Sequence, residues 1–128
     1  MEKTAQLSVA LENVPGQLGR MCRVLVQAGV NIRGISISDA ADLSTIRLCV
    51  SDPAAAKRAL REAGIPFVTQ DVLMVEVPDK PGALEDVAVR LGEAGVNINY
   101  IYSAGGCDGK AVLVLGVDNV DRARQTLR

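Results

Sequence analysis

Apolar and polar positions alternate over Leu7-Ser8-Val9-Ala10-Leu11, which predicts a strand with one face on a core. The period then changes. Leu18, Met21, Cys22, Leu25 and Val26 fall at i, i+3, i+4, i+7 and i+8, the apolar stripe of a helix from about Gly16 to Ala28, stopped by Gly29. Val30 to about Ser38 predicts a second strand. Its apolar parity changes between Ile32 and Ile35, so a bulge is expected at Gly34. Ala40-Ala41-Asp42 forms a hairpin turn, after which Ile46, Leu48 and Val50 alternate with Arg47 and Cys49. Ser51-Asp52-Pro53 is a helix entry, with a capping side chain followed by proline. That helix runs to about Ala63, with Ala56, Ala59, Leu60 and Ala63 inward, and Gly64 ends it. Pro66 to Gln70 predicts a fourth strand, placed at an edge by its proline.

The same order then recurs. Leu73, Val75 and Val77 predict a strand. Leu84, Val87, Ala88 and Leu91 predict a helix stripe, with Gly95 as the stop. Val96 to Ser103, a Gly105–Gly109 loop and Lys110 to Val117 read as a hairpin, and Asn119 opens a last helix. The repeat extends to residue identity. Asn13-Val14-Pro15-Gly16-Gln17-Leu18 matches Asp79-Lys80-Pro81-Gly82-Ala83-Leu84, and Ala28-Gly29-Val30-Asn31-Ile32 matches Ala94-Gly95-Val96-Asn97-Ile98, both at a spacing of 66 residues. One supersecondary unit is written twice, giving expected domains at residues 1–70 and 71–128. A helix between two strands, a hairpin, then a helix and a strand is the ferredoxin-like βαββαβ arrangement, an α+β fold with antiparallel sheets. The second unit is expected to lack its last strand, because the chain ends at Arg128 within a helix: either the full protein is longer, or that edge is left open or borrowed. At the 66-residue spacing Leu113, Leu115 and Val117 align with Arg47, Cys49 and Ser51. Both faces of that strand are therefore read as apolar, with the outer face packed on another sheet.

The chemistry is sought at the two Pro-Gly turns. Glycine lets a ligand approach the backbone, and the first turn of a helix offers free N–H groups at its positive end, suited to a carboxylate. Asn13 in one turn and Asp79 in the other can accept hydrogen bonds from an ammonium. Asn31 and Asn97 begin the second strands and can both donate and accept. Together these meet the needs of a free α-amino acid. The competing reading is structural: Pro-Gly starts a helix, asparagine fills a turn, and a repeated fold needs repeated turns.

Composition narrows the field. With 48% hydrophobic residues among 128, the chain can pack a core, and with Phe67, Tyr100 and Tyr102 as its only aromatics that core is aliphatic. A net charge of −1 gives no electrostatic case for nucleic acid or an anionic membrane. The polar start, Met1 to Gln6, is no signal peptide and no apolar run is long enough to span a bilayer, so a cytoplasmic location is expected. Cys22, Cys49 and Cys107 have neither disulfide-framework nor zinc spacing, and the chain has no histidine. Cys22 is expected buried, Cys49 on the strand face opposite the core, and Cys107 exposed. Gly105 to Gly109 before Lys110 lacks phosphate-loop spacing and reads as a hairpin loop. The charged groups Lys57, Arg58, Arg61 and Glu62, and Asp121, Arg122, Arg124 and Arg128, read as solvated helix faces. No nucleophile–base pair, metal cluster or cofactor fingerprint is visible, so neither catalysis nor a cofactor is expected.

The pattern Asn/Asp-x-Pro-Gly-x-Leu, a helix, then Gly-Val-Asn-Ile within a βαββαβ unit resembles the ACT domain. Two copies over nearly the whole chain resemble small stand-alone tandem ACT proteins. ACT domains are regulatory modules that bind amino acids, often at an interface between two domains. The resemblance implies ligand contacts at Asn13, Gly16, Gln17, Leu18 and Asn31, and at Asp79, Gly82, Ala83, Leu84 and Asn97. Serine-binding members often carry a histidine two residues before the Asn. Here that position is Leu11 or Val77, which points away from serine. The second strands differ, with Gly34 and Ser36 against Tyr100 and Tyr102, so the two sites are not equivalent. The expected function is an amino-acid sensor signalling through a regulated enzyme or through a homodimer. Low polarity around Leu18 and Leu84 favours an aliphatic ligand. The alternative is a structural or oligomerisation module that binds nothing.

Overall fold

A computed structural model describes all 128 residues. The elements are β1 (Glu2–Glu12), α1 (Gln17–Gln27), β2 (Ile32–Asp39), β3 (Leu43–Val50), α2 (Pro53–Glu62), β4 (Phe67–Pro78), α3 (Ala83–Glu93), β5 (Ile98–Ser103), β6 (Lys110–Val117) and α4 (Val120–Leu127). They form two compact units, residues 5–70 and residues 1–4 with 71–128.

In the first unit the strand order is β2-β3-β1-β4. β3 pairs antiparallel with both neighbours, Leu48 lying opposite Leu7 on β1 and Ile35 on β2. The register shifts between Ile32 and Gly34, so the bulge expected at Gly34 is present. Leu7, Val9, Leu11, Ile46 and Leu48 face the helices and pack with Met21, Leu25, Ala56 and Leu60. Each buried leucine contributes about 1.5–3 kcal/mol relative to exposure. The helix stripe is narrower than its spacing predicts. Met21 and Leu25 are buried, but Leu18 is 40% exposed and Val26 is 72% exposed. A step of 100° per residue carries Val26 off the face that Leu25 occupies. Leu18 stands at the rim, over the mouth of a cleft.

The second unit repeats the plan, with order β1-β4-β6-β5. Leu73, Val75, Val87, Leu91, Leu115 and Ala123 make its core. A register shift between Ile98 and Tyr100 mirrors the first bulge. Leu84, 49% exposed, and Ala88 are not inward as the stripe predicts.

The chain's own geometry corrects two expectations and decides a third. The strands expected at Pro66–Gln70 and around Leu73–Val77 are one strand, β4, of 12 residues. The edge left by the last strand that the second unit lacks, expected open or borrowed, is borrowed: the start of β1, which runs from Glu2 rather than Leu7, lies beside β4. The third-strand correspondence is displaced by one residue. Leu48 sits opposite Leu7 and Leu115 opposite Leu73, so β6 matches β3 at 67 residues, the hairpin loop before it carrying one extra residue. Leu113, Leu115 and Val117 therefore face the helices, and Val112, Val114 and Gly116 form the outer face. Val114 is nonetheless fully buried, as are Val72 and, in the first unit, Cys49 at 1% exposure. Outer-face burial is thus real, on different residues.

Two charged groups assigned to solvated faces do structural work. The Arg122 Nε donates to the Ala94 carbonyl at 2.6 Å, and the Arg61 guanidinium lies 5.4 Å from the Phe67 ring centroid. Cys22 is half-buried and Cys107 exposed. No helix is long and apolar enough to cross a membrane.

Candidate functional site

The two Pro-Gly turns have nearly superimposable backbones. Gly16 caps α1 with φ 92° and ψ −16°, and Gly82 caps α3 with φ 93° and ψ −13°. This left-handed conformation is strained for any residue with a Cβ, which explains glycine at both positions. Space beside each is open: an added Cβ would meet nothing within 4 Å. Each turn is tied to the hairpin of its own unit through the backbone. The Asn13 N–H donates to the Asp42 carbonyl at 3.0 Å, and the Asp79 N–H to the Gly109 carbonyl at 2.9 Å. The Asn13 and Asp79 side chains stay exposed.

The four helices begin in two ways. α2 is capped by Asp52, which accepts from the Ala55 N–H at 3.1 Å, and α4 by Asn119, which accepts from the Arg122 N–H at 3.0 Å. No side chain caps α1 or α3. Gln17 and Ala83, the first residues of the two Pro-Gly helices, donate their N–H groups to the Val14 and Lys80 carbonyls, and the first-turn amides that follow them have no side-chain cap at the positive end of an 11-residue helix dipole.

A cleft opens beside each turn. In the first unit it measures about 180 Å³ and is lined by Asn13, Gln17, Leu18 and the sheet residues Leu11, Ile37, Ser44 and Ile46. In the second it measures about 460 Å³ and lies on the α4 side, with Gly82, Ala83, Asp86, Arg90 and Leu127 among its walls. Arg90 is committed there, donating to the Thr126 carbonyl at 2.9 Å and lying 3.6 Å from Asp86.

The expected contact residues divide accordingly. Asn13, Gln17 and Leu18 come together around the first cleft, whereas Gly16 is not among its walls. Gly82 and Ala83 line the second, whereas Asp79 and Leu84 do not. Asn31 and Asn97 sit at the far ends of α1 and α3, a helix length of about 16 Å away. Both are anchored there in the same way. The Asn31 N–H donates to Ser51 Oγ at 2.9 Å and the Asn97 N–H to Asp118 Oδ1 at 3.0 Å. Within one unit, then, neither asparagine joins its turn. Ser44, Ile37, Asp86 and Arg90 were not anticipated. Ser44 had a signal: it occupies an apolar parity position two residues before Ile46.

The chain matches the family model for an ACT domain pair over residues 2–127. It is 34% identical to protein BT0572 from Bacteroides thetaiotaomicron, a crystal structure with TM-score 0.92, covering 98% of this chain and 86% of that one. The ligand-free regulatory subunit of aspartate kinase from Thermus thermophilus shares the fold at 14% identity and TM-score 0.69, over 99% of this chain and 95% of that one. The structure of aspartokinase alpha and beta subunits does so at 16% identity and TM-score 0.66, over 99% and 95%. No curated protein matches the chain. The duplicated Pro-Gly turns, the paired βαββαβ units and the match across the whole length agree: this chain belongs to the ACT domain pair family.

Proposed function

We propose that this protein is a regulatory sensor that binds a free amino acid at an ACT domain interface and passes the signal to a partner enzyme or through a homodimer. The observation that carries this reading is the pair of uncapped helix N-termini, each behind a left-handed glycine and beside an open cleft. A carboxylate fits the free amides, and Asn13 or Asp79 accepts from the ammonium. The proposed contacts are Asn13, Gly16, Gln17 and Leu18, and their counterparts Asp79, Gly82, Ala83 and Leu84. Asn31 and Asn97, a helix length from the turns of their own units, enter the proposal as contacts supplied by a second copy of the chain.

A regulatory rather than catalytic role draws support from the fold shared with the regulatory subunit of aspartate kinase. Domains at residues 1–70 and 71–128, a cytoplasmic location and a chain without catalytic activity belong to the same proposal. Edge strand β2, with Ile37 half exposed at 50%, offers apolar surface and unpaired backbone to a second copy. The structural alternative, an assembly module that binds nothing, differs in one measurable respect. Native mass spectrometry after incubation with an equimolar amino-acid mixture should show a discrete adduct of one amino-acid mass. A bare spectrum at millimolar ligand would favour the assembly module.

A further inference from the structure

We infer that the first Pro-Gly turn is the one that binds ligand, and that the Ser44 hydroxyl reads a hydrogen-bonding group on a short ligand side chain. The inference rests on the sensing function proposed above and names the ligand class of its site.

Ser44 is only 8% exposed. It lies opposite Leu11 on β1, so its side chain points to the helix side of the sheet, into the layer where Leu11 and Ile46 are packed. There it forms part of the floor of the 180 Å³ cleft under the start of α1. No hydrogen bond to its hydroxyl is formed within the chain. The hydroxyl keeps contact with solvent through the open cleft, and the layer around it is otherwise aliphatic. The second unit shows that the position does not need it. Val77 is the counterpart of Leu11, and opposite Val77 stands Ala111, packed into the core. Gln17, half-buried on the wall of the first cleft, likewise corresponds to Ala83. At these two corresponding positions the chain holds serine and glutamine at one turn and alanines at the other, where the charged walls Asp86 and Arg90 lie 3.6 Å from each other. A ligand group that pairs with the Ser44 hydroxyl uses a polar atom that faces the cleft and that no contact within the chain requires.

The cleft also bounds the ligand. Its 180 Å³ is roughly the liquid volume of six waters, enough for an amino acid with a short side chain. With the carboxylate on the α1 amides and the ammonium at Asn13, the side chain lies against Leu11, Ile37 and Ile46, with Ser44 the polar group among them. The site thus fits a short side chain bearing one hydrogen-bonding group on an otherwise apolar body. A site built around such a hydrogen bond rejects an isosteric ligand that lacks it, since a buried polar group is then left unpaired.

Calorimetric titration with L-threonine and L-valine, which have the same shape, tests this in the wild-type chain and in Ser44→Ala. Thermal unfolding of both unliganded proteins runs alongside. The wild type should bind threonine at least about tenfold more tightly than valine, at one site per chain. Ser44→Ala should reduce that ratio to about threefold or less. Its unliganded melting temperature should stay level or rise, because the hydroxyl makes no hydrogen bond within the chain. A ratio unchanged by Ser44→Ala, two equal sites per chain, or a clear fall in the unliganded melting temperature would overturn the inference. So would failure of the wild type to bind either probe. If another amino acid is then found bound by mass spectrometry, only the inference falls. If none is, the sensing function falls with it.

Discussion

The Lys3 ammonium lies 3.2 Å from Asp121 Oδ1, joining the first strand of the chain to its last helix. Lys3 also approaches Asp71 at 3.9 Å, on β4. These contacts mark where the start of β1 completes the second unit. The partly exposed ion pairs themselves are worth little, so Lys3→Ala should cost less than about 1 kcal/mol. Removing residues 1–5 is different, because it strips a strand and leaves β4 with unpaired backbone. At about 0.5–1.5 kcal/mol for each lost hydrogen bond, the truncated chain should lose roughly 2 kcal/mol or more in urea unfolding. It should also self-associate more strongly, as light scattering would report.

The two styles of helix start make a second prediction. Asp52→Ala and Asn119→Ala remove side chains that accept from first-turn amides, and each should cost about 1 kcal/mol by chemical denaturation. Asn13→Ala and Asp79→Ala, at turns where no side chain caps, should cost less than about 0.5 kcal/mol. Equal losses at all four positions would mean that Asn13 and Asp79 serve folding.

Much of this was legible in the residues. Period and repeat placed the helices, the hairpins and the bulge at Gly34, because binary patterning and turn chemistry are local signals. What they could not place depends on pairing between distant segments. Glu2–Thr4 carry no strong alternation of their own and become strand by lying beside β4. The single extra residue in the second hairpin loop is invisible in a repeat aligned on its helices. It moves Leu115 from the outer face to the core and makes Ala111, not Lys110, the counterpart of Ser44. The site was half legible. The glycine, Asn13 and Gln17 stand out in a motif, whereas Ser44 and Ile37 reach the cleft only through the sheet register. The grouping of Asn31 with Asn13 does not hold within one unit, since the motif compresses into one line what α1 separates along its length.

Glycine positions differ in what they tolerate. Gly16→Ala and Gly82→Ala force a Cβ into a left-handed conformation and should each cost about 1–2 kcal/mol, although nothing nearby would clash. Gly92→Ala lies within α3 with open space around it and should stabilise by about 0.5–1 kcal/mol. Thermal unfolding of the three variants checks the signs. A valine at Gly16 or Gly82 would mix backbone strain with any loss of ligand, so side-chain substitutions are the better probes of binding.

Gly116 faces a different constraint. It sits across from Tyr100 on β5, and an added Cβ would overlap the Tyr100 ring, which stacks with Tyr102 at a centroid distance of 6.5 Å. Gly116→Ala should cost about 1–3 kcal/mol as an overpacking substitution. In a Tyr100→Ser background the same change should cost much less. A double-mutant cycle with a coupling below about 0.5 kcal/mol would show that the ring simply swings aside.

The central claim is that the folded chain binds a free amino acid, and a thermal-shift screen against the proteinogenic amino acids tests it most directly. A ligand that binds only the folded state, present at a hundredfold excess over its Kd, adds about 2.7 kcal/mol. For a chain of 128 residues that raises the melting temperature by on the order of 10 °C. One amino acid, or a few of similar shape, should produce such a shift while the others produce none. A flat response to all of them at millimolar concentration would contradict the account and leave the two Pro-Gly turns as helix starts.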